Sequence, residues 1–227
     1  MLPLSLFRES RFTRPGVTGL LVNVCFHGLI FVFSLLFQTE RGLSALQTGL
    51  AFLPMTAAIL AANLAAGRLT GAIGAGRTIL VGIVAMIAAC TGLLWLDRAT
   101  GYPLLLLEQA VLGGGLGLLV PPMTSTIMTS VERSRSGIAS GALTTLRQAG
   151  SMLGVALFGS LIAGRAEFYP GLTAAVAISL AVLVAAAAVA GRLALARAGA
   201  HARRLRARPA AVRGEDHRPG TPDECLS

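Results

Sequence analysis

Arg135-Ser-Gly-Ile-Ala-Ser-Gly-Ala-Leu-Thr-Thr-Leu-Arg147-Gln-Ala-Gly-Ser-Met-Leu-Gly154 is the stretch on which the reading of this chain turns. Most of it lies within an apolar run over 138–163 that is long enough to cross a bilayer and is interrupted by a single guanidinium. An arginine does not shed its proton in a protein, and at the centre of a spanning helix it costs roughly 2.5–3.5 kcal/mol on insertion scales. A chain that keeps such a residue faces it into the interior of a helix bundle or into a wet cavity. The same stretch is therefore read as a membrane helix and as a candidate site.

Composition agrees with the membrane reading. The 227 residues are 54% hydrophobic and 13% charged, against about 25% charged residues in soluble domains. The formal charge is +9, and every basic residue is Arg rather than Lys, as a GC-rich bacterial coding bias produces. Of the three cysteines, Cys25 and Cys90 lie in apolar stretches and Cys225 in a polar tail. That spacing builds neither a disulfide framework nor a metal site, and no cofactor is called for. Residues 1–15 lack the compact apolar centre and cleavage site of a signal peptide, so the first spanning helix is its own insertion signal.

A hydrocarbon core of about 30 Å takes about 20 apolar residues as a helix. Six stretches meet this: 16–37, 49–69, 78–96, 102–128, 138–163 and 172–195. The expected fold is all-α, a polytopic membrane protein with a short cytoplasmic segment over 1–15 and a six-helix domain over 16–197. A basic, disordered cytoplasmic tail follows over 198–227, acting as a positive-inside anchor. Its arginines lack interleaved aromatics, so no nucleic-acid partner is expected. Pro121-Pro122 predicts a kink in the fourth span, with its last turn leaving the membrane.

Arginine placement orients the bundle. With the N-terminus inside, the cytoplasmic face receives Arg8, Arg11, Arg14, Arg68, Arg77, Arg133, Arg135 and the eight arginines from Arg192 onward. The outer face receives only Arg41, Arg98 and Arg165. Both termini are then cytoplasmic, and Trp95, Tyr102 and Tyr169 fall at outer helix ends, where aromatic belts form. The expected location is the cell membrane.

The polar residues inside the spans are few. Arg147 and Gln148 either line a transport cavity or form a structural group bonded to helix-end carbonyls or a carboxylate. Gly137, Gly141, Thr144, Thr145 and Gln148 step along one broad face of the same helix. Glu108 is the one carboxylate within a span. It is either an interfacial group reaching for water or a proton-exchanging partner at about the right depth for Arg147. Asn23 and His27, four apart, share a face; His27 is either a hydrogen-bonded structural residue or a titrating group. Asn63 lines the cavity or joins helices. The pairs Gly113/Gly117, Gly137/Gly141 and Gly150/Gly154 have small-xxx-small spacing, the pattern of close helix packing. With Pro121 and Pro122 they are candidates for packing and gating.

Several segments together resemble the fourteen-helix drug/proton antiporter branch of the major facilitator superfamily. These are Leu2-Pro-Leu-Ser-Leu-Phe7, Gln47-Thr-Gly-Leu-Ala-Phe-Leu-Pro-Met-Thr56, Asn63-Leu-Ala-Ala-Gly-Arg68, Val120-Pro-Pro-Met-Thr124, Arg135-Ser-Gly-Ile-Ala-Ser-Gly141 and Leu146-Arg-Gln-Ala-Gly150. The resemblance extends over about residues 2–195 and is to the C-terminal six-helix half alone. It implies eight further helices upstream in the family, carrying the antiporter motif and the acidic groups tied to proton coupling. The loop containing Gly67, Arg68, Gly74 and Arg77 resembles the C-half form of the superfamily's cytoplasmic loop motif. Its customary acidic position is Gly71 here, so the latching charge interaction of the family is not carried over.

Three function classes compete at this point. Six helices of this kind form one wall of a rocker-switch carrier. The resemblance implies proton-coupled efflux of a small, drug-like solute once an N-terminal half or a second copy completes the cavity. An intramembrane enzyme would need paired catalytic or metal-binding groups, and the spans hold one His, one Glu and no Asp or Lys. The remaining class is a truncated or regulatory membrane protein that does not transport.

Overall fold

The computed structural model describes residues 10–95, 101–129, 136–163 and 168–207, the side chains of 10–12, 14 and 192–207 excepted. Among the described residues the chain is helical between short turns and has no strand. Helix α1 (Ser10–Leu35) passes into a π-helical turn (Leu36–Glu40); α2 (Ala45–Ala51) and α3 (Leu53–Ile73) follow. Then come α4 (Ala75–Leu93), α5 (Tyr102–Met128), α6 (Ser136–Ala163) and α7 (Phe168–Ala207). Six of these units, taking α1 with its π turn and α2 with α3, are long and apolar enough to span a membrane.

The turns follow from local chemistry. After the π turn, Leu43 N–H donates to the Phe37 carbonyl at 2.9 Å. The chain reverses at Gly42, whose φ of 65° favours a residue without a Cβ. Ser44 then starts α2 with a capping box: its hydroxyl accepts from Gln47 N–H at 3.3 Å, and its own N–H donates to Gln47 Oε1 at 2.9 Å. The second span thus begins at Ala45, ahead of the apolar run expected over 49–69, because a polar cap rather than hydrophobicity sets the start. Pro54 offers no N–H to the carbonyl of Leu50. That carbonyl accepts from Phe52 N–H instead, and the helix breaks into α2 and α3 there.

The Pro121-Pro122 pair sits inside α5, whose helix runs on to Met128, the bound expected for the fourth span. The basic tail does not begin as a coil at residue 198. Alanine-rich sequence with no helix breaker carries α7 on to Ala207, and residues 208–227 of the tail, like 1–9, lie outside the described residues.

Packing runs in the order α3–α5–α4–α7–α1–α6. The apolar core fills the middle of this order with Leu29, Phe33 and Phe37 of α1 and its turn, Ile83 and Met86 of α4, Leu112 and Leu119 of α5, and Leu183 of α7. Helices α4 and α5 touch backbone to backbone. A Cβ on Gly82 would lie 2.6 Å from the Gly115 carbonyl oxygen, and one on Gly115 the same distance from that of Gly82. Helices α3 and α6 stand at the two ends of the order. Their outer faces carry exposed Leu60 and Leu64, and Met152 and Leu153, respectively.

Candidate functional site

A polar cavity of about 230 Å³ opens between α1 and α6, lined by Asn23, His27, Thr144, Arg147, Gln148 and Ser151. Each helix supplies its groups by periodicity. Asn23 and His27 are four apart on α1, and Thr144, Arg147, Gln148 and Ser151 occupy steps of three and four on α6. The helices come close enough to share the cavity because α6 presents glycines. A Cβ at Gly150 would lie 2.5 Å from the Leu20 carbonyl oxygen, and one at Gly154 would overlap the carbonyl of Val24. Across the seam, Gly19 leaves room for the stem of Arg147, whose Cγ would stand 3.5 Å from a Cβ there.

The hydrogen bonds fix one side of the cavity and leave the other open. Asn23 Nδ2 donates to the Gly19 carbonyl at 2.7 Å. His27 Nδ1 lies 3.3 Å from the Asn23 carbonyl and 3.1 Å from Ser151 Oγ. Ser151 in turn donates to the Arg147 carbonyl at 3.0 Å. A carbonyl only accepts, so the contact with Asn23 is a hydrogen bond in the Nδ1–H tautomer, in which Nε2 is the atom left to take or release another proton. Phe26 holds the ring edge-on at 5.4 Å between centroids. The Arg147 guanidinium has no such partner among the described residues: its Nε is buried and unbonded. Thr144 and Gln148 stand exposed at the rim.

The other sequence candidates lie elsewhere. Glu108 does not meet Arg147; its carboxyl group packs on Gly92 of α4, where a Cβ would overlap it, while Arg147 faces α1. Depth along a helix says nothing about azimuth: Glu108 is turned toward α4 and Arg147 toward α1. Asn63 on α3 is also away from the cavity, with its Oδ1 buried and unbonded. Gly113 and Gly117 seat α5 on α3, where a Cβ would approach the carbonyl oxygens of Met55 and Ile59 to 2.7 and 2.6 Å. Gly137 and Gly141 seat nothing among the described residues, since a Cβ on either would meet no atom within 4 Å. In the loop motif, Gly67, Arg68 and Arg77 are exposed, and Gly74 turns the chain at φ 88°. Hydroxyls bridge that turn: Thr78 donates to the Gly74 carbonyl at 3.0 Å, and Thr70 reaches Thr78 at 3.5 Å.

Sequence reading passed over two residues. Ser151 is one turn beyond Arg147 and on its face, a spacing that could have placed it beside His27. Gln109 is fully buried with neither amide atom hydrogen-bonded; an amide inside a leucine run was its only signal.

A family profile described as Major Facilitator Superfamily matches residues 2–155. The chain is 33% identical over 189 residues to a methylenomycin A resistance protein of Bacillus subtilis (strain 168), a match covering 81% of this chain and 41% of that protein. It is 32% identical over 178 residues to the multidrug resistance protein Stp of Mycobacterium tuberculosis, covering 78% and 33%. A drug efflux pump, JefA, of Mycobacterium tuberculosis is 32% identical over 164 residues, covering 72% and 32%. The chain thus spans between a third and two-fifths of the length of these curated relatives.

Proposed function

The chain belongs to the Major Facilitator Superfamily, and on that premise we propose that its six helices form the C-terminal wall of a proton-coupled exporter of small, drug-like solutes. The observation that carries the reading is the polar cavity between α1 and α6, which gathers an arginine, a histidine, two amides and two hydroxyls beside a largely apolar core. Carriers of this type bind solute near the bilayer midplane, between two six-helix halves. An N-terminal half or a second copy of the chain would supply the opposite wall. In this reading Arg147 and Gln148 contact the solute, and His27 Nε2 exchanges a proton with it or with water. The glycine seam of Gly150 and Gly154 lets α6 move against α1 as access alternates. The arginine asymmetry supports a cell-membrane orientation with both termini cytoplasmic.

The names of the relatives guide the test. The chain is fused behind the N-terminal half of its Bacillus relative and expressed in cells stripped of their own exporters. Methylenomycin A tolerance and proton-driven dye efflux should appear, and should vanish in Arg147→Ala. The chain expressed alone should export nothing. Silence from a well-expressed fusion would instead support a non-transporting membrane protein. Undiminished export by Arg147→Ala would remove Arg147 from the solute path.

A further inference from the structure

The lining of the α1–α6 cavity has a chemical sign. Its side chains offer a guanidinium, an imidazole, two amides and two hydroxyls, and no carboxylate. The carboxyl group of Glu108, within the α5 span, is packed on Gly92 instead. Arg147 has no ion pair or hydrogen bond from its guanidinium among the described residues. Its neighbour Gln148 adds an amide donor at the exposed rim. A planar guanidinium presents paired N–H groups that match the two oxygens of a carboxylate. On the other wall, the Asn23 amide is already committed to the Gly19 carbonyl, and His27 Nδ1 to Asn23 and Ser151. The uncommitted donors are therefore gathered on α6, around Arg147.

Resting on the reading of this cavity as a solute site, we propose that it selects solutes carrying a carboxylate or comparable oxyanion, held by the fork of Arg147 with Gln148 beside it. The competing fate of Arg147 is pairing with a carboxylate of another half, which would leave the cavity electrically neutral.

Charged thiol reagents tell these apart. Thr144→Cys, and separately Gln148→Cys, are made in a Cys225→Ser background, since Cys25 and Cys90 are buried. The full chain in native membranes is treated with anionic sulfonatoethyl methanethiosulfonate and with its cationic trimethylammonioethyl counterpart. Each rate is normalised to that of a free thiol. Thr144 lies three residues before Arg147, a helix spacing of about 5–6 Å, and a unit charge at that distance favours the anion over the cation by about tenfold even in water-like surroundings. The expected result is that ratio in Thr144→Cys and a preference of the same sign in Gln148→Cys, both retained in Arg147→Lys and lost in Arg147→Gln. Millimolar benzoate should slow labelling severalfold and benzamide should not. Labelling with a ratio near one, or in favour of the cation, leaves the water-filled solute site standing and overturns its anion selectivity. Absence of labelling by either reagent at both positions overturns the solute site itself, and the selectivity with it.

Discussion

At the scale of single residues, Arg147 and the His27–Ser151 pair differ in how far the fold has satisfied them. Arg147 is half-buried against the cavity and its Nε is buried and unbonded, and a buried donor left without an acceptor costs stability. Arg147→Leu should therefore raise the melting temperature of the purified chain while abolishing solute recognition, the usual trade between stability and function. A fall in melting temperature would mean that the guanidinium holds helix ends together, the structural alternative read from the sequence. His27 is fully engaged at Nδ1, so nitrogen NMR on chain with His201 and His217 replaced by Gln should show a single Nδ1–H tautomer. Ser151→Ala removes one acceptor, costing about 0.5–1.5 kcal/mol, and should leave a mixture of tautomers. An Nε2–H tautomer in the parent chain would reverse the assignment of the proton-exchanging nitrogen.

At the scale of helices, the seam between α1 and α6 decides whether a cavity exists at all. Gly154 has the Val24 carbonyl against the place where a side chain would go, whereas Gly137 faces open space. Overpacking a tight contact costs typically 1–3 kcal/mol, occasionally more. Gly154→Leu should accordingly destabilise the chain by at least that much and close the cavity to thiol reagents, with Gly137→Leu close to neutral. Equal effects of the two in a thermal or denaturant melt would dismiss the seam. These two glycines also mark what the sequence could tell. Three pairs share the same four-residue spacing, and spacing alone cannot say which pair faces a helix, because that depends on the rotation of α6 about its own axis. The same blindness left open whether Glu108 meets Arg147 or reaches for water: rise per residue gives depth along a helix, but azimuth comes only from packing. Apolar run length, in contrast, is set by the bilayer itself, so the six spans were legible without coordinates. Helix starts such as Ser44, and the length of α7, depend on caps and breakers that a hydropathy count does not weigh.

At the scale of the whole molecule, the two groups α3–α5–α4 and α7–α1–α6 meet through the apolar core and turn two sparsely buried helices, α3 and α6, outward. Those faces settle what solvent the chain is built for. Leu60 lies near the middle of the span formed by α2 and α3 and is 62% exposed. On a soluble protein a leucine-to-arginine change there would be nearly silent, but at the middle of a bilayer it costs about 2.5–3.5 kcal/mol. Leu60→Arg should thus sharply reduce recovery of the chain from the membrane fraction. Direction across the bilayer is a separate matter, set by arginines that lie mostly in loops. Helices α4 and α6 end, and α5 and α7 begin, at one end of the bundle, the end that holds exposed Trp95 and Tyr102 and half-buried Tyr169. Alkaline phosphatase, which matures only outside the cytoplasm, should be active when fused after Gly101 and inactive when fused after Arg77. A fluorescent protein at the C-terminus should be bright. The reverse pattern would overturn the orientation and move Arg68 and Arg77 to the outer face. It would leave the α1–α6 cavity intact, because the seam of Gly150 and Gly154 is indifferent to which side of the membrane is inside.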